Sequence, residues 1–302
     1  MLSTINNMHV IEIQKTSETN FPFKIMNDAN NHRNNSNKHG VKSLICSNSS
    51  IKLSSFSNES KNVVGVIGGV SVLSTLIFLE KFVLWGSRKC QGGVPFIVCS
   101  DPFMKRRLYN KNTFMVENMR SKRVFLEEGG AKCIVMPCHV SHALYGEISL
   151  GCELPFLHVA RCVARELVEA RFRPLEAGCG VKIGLIANEA TLLAGFYQDE
   201  LKKQGFEVAM PDRLTMEHIV KPAMKCMKQN DVVGARNLLR IAIQGLLVKA
   251  VNVVILASDE LQCLLPYDDP LVKYCVDPLD SLARSTVNWA NSVQEDTQEI
   301  YR

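Results

Sequence analysis

Eleven cysteines are spread along the 302 residues, and one of them, Cys138, sits where a thiol can do chemistry. It closes the apolar run Cys133-Ile-Val-Met136 through Pro137, with His139 next and His142 four residues on. The pattern reads as a strand handing over to a helix. A thiol with a reference pKa of about 8.5 needs roughly 2 kcal/mol of differential stabilisation to ionise near pH 7. A helix N-terminus supplies up to about 2 kcal/mol in favourable geometry, and a neighbouring imidazolium adds to it. Cys138 is therefore a candidate reactive thiolate. His139 and His142 are candidates to tune it or to move protons themselves. The plain alternatives are a thiol packed as a small hydrophobe and histidines bonded to backbone or water. The ten other cysteines take the plain reading. No CxxC pair, zinc-spaced His/Cys cluster or secretory signal is present, so no metal is expected and the thiols read as reduced.

The elements that must position Cys138 repeat. Four segments share the plan of an apolar strand, small or polar residues, then a helix: 63–75, 133–144, 182–194 and 253–265. This is the signature of parallel α/β units. Gly65-Val-Ile-Gly68 lies over Gly184-Leu-Ile-Ala187 at an offset of 119, with Phe78/Tyr197, Glu80/Asp199 and Gly86/Gly205 in step. Ile134 to Cys138 lies over Val254 to Ser258 at an offset of 120. Two related halves are expected. Ligands in such sheets bind beyond the carboxyl ends of the strands, so two halves facing each other enclose a cleft. Under a pseudo-twofold, Cys138 and Ser258 approach a ligand from opposite sides.

Composition bounds the rest. The chain is 46% hydrophobic and 22% charged with a net charge of +5, and residues 62–302 hold 28 Lys+Arg against 26 Asp+Glu. That balance gives no nucleic-acid footprint. Residues 1–61 differ, with 11 Asn, 11 Ser, 7 basic and 4 acidic residues and no apolar period. Such a segment is expected to stay unfolded. Rich in Ser and poor in acid, it reads as a transit peptide to the chloroplast stroma, the alternative being a plain tail on a cytoplasmic protein. Val63 to Leu79 has 17 residues without charge, the lower limit for a membrane span. Its β-branched opening, the Gly68-Gly69 break and the charges at Glu80 and Lys81 instead favour strand, turn and helix, so no membrane partner is expected.

GVIGGVS at 65–71, PCHVSH at 137–142, GLIANEAT at 184–191 with Gly195 to Asp199, and VVILASDEL at 253–261 resemble, in order and spacing, the motifs of the aspartate/glutamate racemase superfamily. The likeness covers about residues 62–290. It implies an α/β fold of two Rossmann-like parallel-sheet domains with the active site between them. The expected domains are 62–157 plus 273–302, and 158–272, with the return crossing near Asp277-Pro278. It also implies inversion of an amino acid, or a similar small dicarboxylate, without pyridoxal phosphate or other cofactor, and a homodimer. The chemistry needs two groups, one taking the α-proton from one face and one returning a proton to the other, each about 3 Å from the carbon.

This sequence departs from that pattern where it matters. Ser258 stands at the second thiol position, and a hydroxyl is no base at neutral pH without a partner. His139 and Val140 stand where the superfamily has Asn and Thr, so part of the carboxylate clamp is missing. Asp259 is a candidate substitute acid/base, or else a helix cap. Glu260 matches the superfamily's glutamate. Further substrate contacts implied by the resemblance are Gly68 and Gly69 by close backbone approach, Ser100, Arg107 as a carboxylate clamp, and Asn188 with Thr191. Arg107 reads equally as part of a solvated helix face, and Asn188 and Thr191 as turn and cap residues. Three functions follow: a racemase, with Cys138 opposed by Ser258 assisted by Asp259; a single-thiol isomerase or decarboxylase; and a ligand-binding protein without chemistry.

Overall fold

The computed structural model describes residues 9–11, 62–90, 93–101, 112–262 and 264–300. Strand β1 is His9–Ile11, followed by β2 (Val64–Ile67), α1 (Val72–Lys89), β3 (Phe96–Ser100), α2 (Asn112–Glu128) and β4 (Cys133–Val135). A 3-10 segment at Val140–Leu144 leads into α3 (Tyr145–Ser149), β5 (Phe156–Leu157) and α4 (Val159–Glu169). The second half comprises β6 (Lys182–Ala187), α5 (Glu189–Ala194), α6 (Phe196–Lys203), β7 (Glu207–Ala209), α7 (Arg213–Thr215), α8 (Lys221–Lys228), α9 (Val232–Leu247), β8 (Val253–Ala257) and β9 (Cys275–Val276). Helix α10 (Pro278–Ile300) closes the chain.

Two sheets result, in the orders β1-β3-β2-β4-β5 and β7-β6-β8-β9. All pairings are parallel except β1 with β3. Omitting β1, each strand has its counterpart at the same place in the other sheet, β2 with β6 and β4 with β8. The repeat at offsets of 119 and 120 is therefore a repeat of structure. β1 runs antiparallel along the edge of β3, with His9 opposite Ser100 and Ile11 opposite Val98, and the rest of residues 1–61 lies outside the described residues. The outer side of β3 offers unpaired backbone groups, which an extended segment satisfies.

The halves are not packed as separate cores. Val64, Val66, Cys133 and Val135 of the first sheet and Ile183, Leu185, Val253 and Ile255 of the second belong to one buried cluster with α1, α4 and α10. Phe78 and Phe82 of α1 stack in it at 5.6 Å. Each contributes roughly 1.5–3 kcal/mol by leaving water. α10 is tied down by Trp85 Nε1 donating to Asp280 (2.8 Å), by Lys81 with Asp277 (3.1 Å) and by Arg284 with Glu166 (2.5 Å). β9 pairs with β8, so residues 275 and 276 belong to the second sheet, and α10 begins two residues later at Pro278. No described helix is long and apolar enough to cross a membrane, and Val63–Leu79 is the strand, turn and helix its residues suggested.

One local expectation fails. The segment after β8 is not a helix: Leu261 and Gln262 N–H both return to Ser258 O (3.1 Å each), and turns follow. Pro266 and Pro270 forbid helix propagation there, while Leu261 and Leu264 are drawn into the second core cluster against α8 and α9.

Candidate active site

Cys138 lies at the carboxyl end of β4, three residues past Val135, with the Gly68-Gly69 turn beyond β2 directly against it. A Cβ on Gly69 would stand 2.2 Å from Cys138 Cβ and 2.9 Å from its Sγ; one on Gly68 would stand 2.4 Å from Ser100 Oγ. Only glycines let the ends of β2, β3 and β4 meet this closely. The turn runs into α1, whose N-cap Ser71 accepts from Ser74 N–H at 3.3 Å. The helix terminus facing the sulfur is thus that of α1, through Ser71 N–H. The segment following Cys138 is a five-residue 3-10 turn. Sequence spacing pointed to the right device on the wrong helix, because helix-to-thiol proximity across strands is a tertiary property.

The thiol's balance of forces also differs from expectation. Burial raises the Cys138 pKa, the Asp259 carboxylate raises it further, and the Ser141 and Ser71 groups pull it down without reversing the sign. Cys138, His139 and Ser258 are each 0% exposed. In this closed arrangement the sulfur keeps its proton.

His139 reaches across into the second half. Burial depresses its pKa, against the pull of Asp259, Asp277 and Glu260, so the ring is neutral. The Gln262 amide donates to Nε2 at 2.8 Å, which leaves the proton on Nδ1 to be donated to Tyr197 Oη at 3.1 Å. Asp259 Oδ1 is 3.8 Å from Nε2. His139 is thereby a bridge between the PCH loop and the 258–262 turn. His142 is different. Its Nε2–H donates to Met136 O at 2.7 Å, its ring packs on His158 at 4.6 Å, and burial holds its pKa well below the usual value. That bond fits one of the two readings open from sequence, while its Nδ1 is buried without a hydrogen-bond partner among the described residues.

Ser258 and its neighbours divide the work at the opposite strand end. Ser258 Oγ donates to Glu260 Oε2 at 2.7 Å, and Glu260 Oε1 is 3.8 Å from Lys228 Nζ. Asp259 caps no helix, and its buried Oδ1 has no hydrogen-bond partner among the described residues. Gln262 Oε1 and Thr191 Oγ1 are buried and unpartnered as well. Asn188 is the N-cap of α5, its Oδ1 accepting from Thr191 N–H at 2.9 Å. α5 packs on the 3-10 segment that begins with Val140, which brings Thr191 to the same region. Buried polar atoms without protein partners are expected to meet water or a ligand.

Gly68, Gly69, Ser100 and Cys138 are thus assembled at one strand end, and Ser258, Asp259 and Glu260 at the other. Arg107 lies outside the described residues. Sequence reading missed Tyr197, Gln262 and Lys122. Lys122 alone carried a signal, as a charge on the apolar stripe of α2 with Met115, Met119 and Leu126. Among the described residues no group of three or more His, Cys, Asp or Glu is placed to hold a metal. A shallow depression of about 240 Å³ over Lys182, Glu207 and Lys249 lies at the edge of the second sheet, where Lys182 and Glu207 open β6 and β7, and includes none of the candidate residues.

The arrangement has known counterparts. It is similar to an aspartate racemase homologue from Pyrococcus horikoshii (TM-score 0.65, 19% identity, covering 76% of this chain and 99% of that one). It is also similar to the Picrophilus torridus aspartate racemase (TM-score 0.61, 22% identity, 76% and 94%). A curated relative from Pectobacterium carotovorum, itself uncharacterised, is 31% identical over 109 residues, 36% of this chain and 72% of its own. The sequence profile for Asp/Glu/hydantoin racemases matches residues 67–286. By that match across most of its length, carried on two parallel sheets with Cys138 at a strand end, the chain belongs to the Asp/Glu/hydantoin racemase family.

Proposed function

We propose that the chain is an amino-acid racemase that works without pyridoxal phosphate, with Cys138 serving one face of the α-carbon and Asp259 the other. The observation that carries this reading is that a thiol and an unpartnered buried carboxylate oxygen are borne by equivalent strand ends of two related halves. Burial and the Asp259 carboxylate both raise the Cys138 pKa, so a protonated thiol on one side faces a carboxylate on the other. Asp259 takes the α-proton, a carbanion forms, and the thiol gives its proton to the opposite face. The thiolate and carboxylic acid then run the reverse direction. Ser258, held by Glu260, orients the turn. The α-carboxylate is met by backbone N–H groups at the strand ends and by Thr191. Small acidic amino acids are the first substrates to test, on the precedent of the aspartate racemase relatives. Because Cys138 is closed from solvent, the halves must part for substrate to reach it.

The test is incubation of the chain from about residue 60 with L-Asp, L-Glu and other amino acids in D2O. Exchange of the α-hydrogen with inversion, abolished in Cys138→Ala, is expected. Exchange with retained configuration would instead support the single-thiol reading. No exchange with any amino acid, together with unchanged ligand binding in Cys138→Ala, would sink the enzymatic reading. We also propose that residues 1–61 direct the chain to the plastid. A reporter fused to them that stays in the cytosol would reject it.

A further inference from the structure

Helix α2 carries one residue that its apolar face does not explain. Lys122 lies on the buried stripe with Met115, Met119 and Leu126 and is itself 0% exposed. Burying an ammonium costs several kcal/mol per ion unless it is compensated. Its Nζ donates to Gly68 O at 2.9 Å, and among the described residues the titratable groups acting on it are, strongest first, Cys99, Asp101 and Cys138. Asn118, one turn earlier on α2, donates to Asp101 Oδ2 at 3.4 Å. Gly68 belongs to the turn whose next residue is packed on Cys138. Ammonium, carbonyl and thiol therefore follow one another at the ends of β2, β3 and β4, among Ile67, Ile134 and Met136, where little water screens them.

We propose that Lys122 is a positioning residue for Cys138: its ammonium fixes the Gly68-Gly69 turn against the thiol and balances the negative charge when the sulfur ionises. A neutral donor would hold the turn equally well; the positive charge is what the thiolate requires. Asp259 faces the same sulfur from the second half and acts in the opposite sense. Lys122 reaches that sulfur through the Gly68-Gly69 turn, whose carbonyl it binds and whose next residue packs on Cys138. The assignment rests on Cys138 being the acting thiol, but its test does not pass through turnover.

In the full chain, alkylation of Cys138 by iodoacetamide is followed against pH by peptide mass spectrometry. The midpoint is read beside the rate, because accessibility scales the rate directly, and wild type and variants are compared under one set of conditions. Lys122→Gln, which retains a donor for Gly68 O, and Lys122→Met are expected to move the midpoint up by about one pH unit. That shift corresponds to roughly tenfold slower alkylation below it. A folded Lys122→Gln with an unmoved midpoint overturns the assignment. If neither variant folds, the wild-type chain decides. The Lys122 ¹⁵Nζ resonance is expected to shift when Cys138 ionises or is alkylated, and a resonance indifferent to both overturns it. A shifted midpoint without α-hydrogen exchange in the wild type would sink the racemase reading alone. Exchange with an unshifted midpoint would sink the Lys122 assignment alone.

Discussion

Adding a single methyl group at Gly69 tests the geometry on which the site depends. In Gly69→Ala the new Cβ would sit 2.2 Å from Cys138 Cβ and 2.8 Å from Ser141 Oγ. Carbon atoms rest at about 3.5–4.0 Å, so the PCH loop must retreat by roughly 1.5 Å or the turn must deform. The turn resists deformation, because Gly68 N–H is tied to Cys99 O at 2.8 Å and Gly68 O to Lys122 at 2.9 Å. Overpacking of this kind costs about 1–3 kcal/mol, which for a domain of this size lowers Tm by roughly 2–12 °C. A displacement of about 1 Å at a reacting group costs on the order of 100-fold in rate. Gly146→Ala is the control: it lies in helix α3 with no atom within 4 Å of its added methyl, and the change should be neutral or stabilising by about 0.5–1 kcal/mol. Melting curves and α-hydrogen exchange in D2O would be measured for both. Wild-type Tm and exchange rate in Gly69→Ala would refute the close approach of turn and thiol, and with it the reasoning that both glycines are there to admit Cys138 and Ser100.

Asp259→Asn should lower α-hydrogen exchange by about 100-fold or more and, by removing the charge that raises the thiol pKa, should speed Cys138 alkylation at fixed pH. Slower alkylation would contradict the assigned coupling. Ser258→Ala should retain exchange within about tenfold while losing roughly 1.5 kcal/mol with its bond to Glu260, measured by urea unfolding. A hundredfold loss of exchange would return the second acid/base role to Ser258. His158, N-cap of α4, is pushed down to about 4 by burial and by Arg161. A depressed folded pKa means that the unfolded chain binds the proton first, so stability is full above pH 6.5 and is lost as pH falls toward 4, by up to about 3 kcal/mol. His139 and His142, also depressed, act in the same sense. His158→Asn keeps a capping acceptor and should flatten the slope of urea midpoint between pH 7 and 4.5; an unchanged slope would show that His158 does not titrate there.

Much of the frame was legible in the residues alone. Short continuous apolar runs ending in small-residue turns marked β2, β4, β6 and β8, because run length and turn chemistry are local properties of a chain. The offsets of 119 and 120 placed Cys138 and Ser258 at equivalent strand ends, since a repeated sequence encodes a repeated unit. Those same local rules could not say which groups meet. That α1 rather than the segment after Cys138 faces the sulfur, that His139 is held by Tyr197 and Gln262, and that Ser258 is occupied by Glu260 while Asp259 Oδ1 has no hydrogen-bond partner among the described residues are arrangements that close only on packing. The pKa of Cys138 shows the difference most plainly. The sequence supplied the groups that lower it, but complete burial and a carboxylate more than a hundred residues away decide its direction, because desolvation and charge proximity exist only once the two halves have closed on each other.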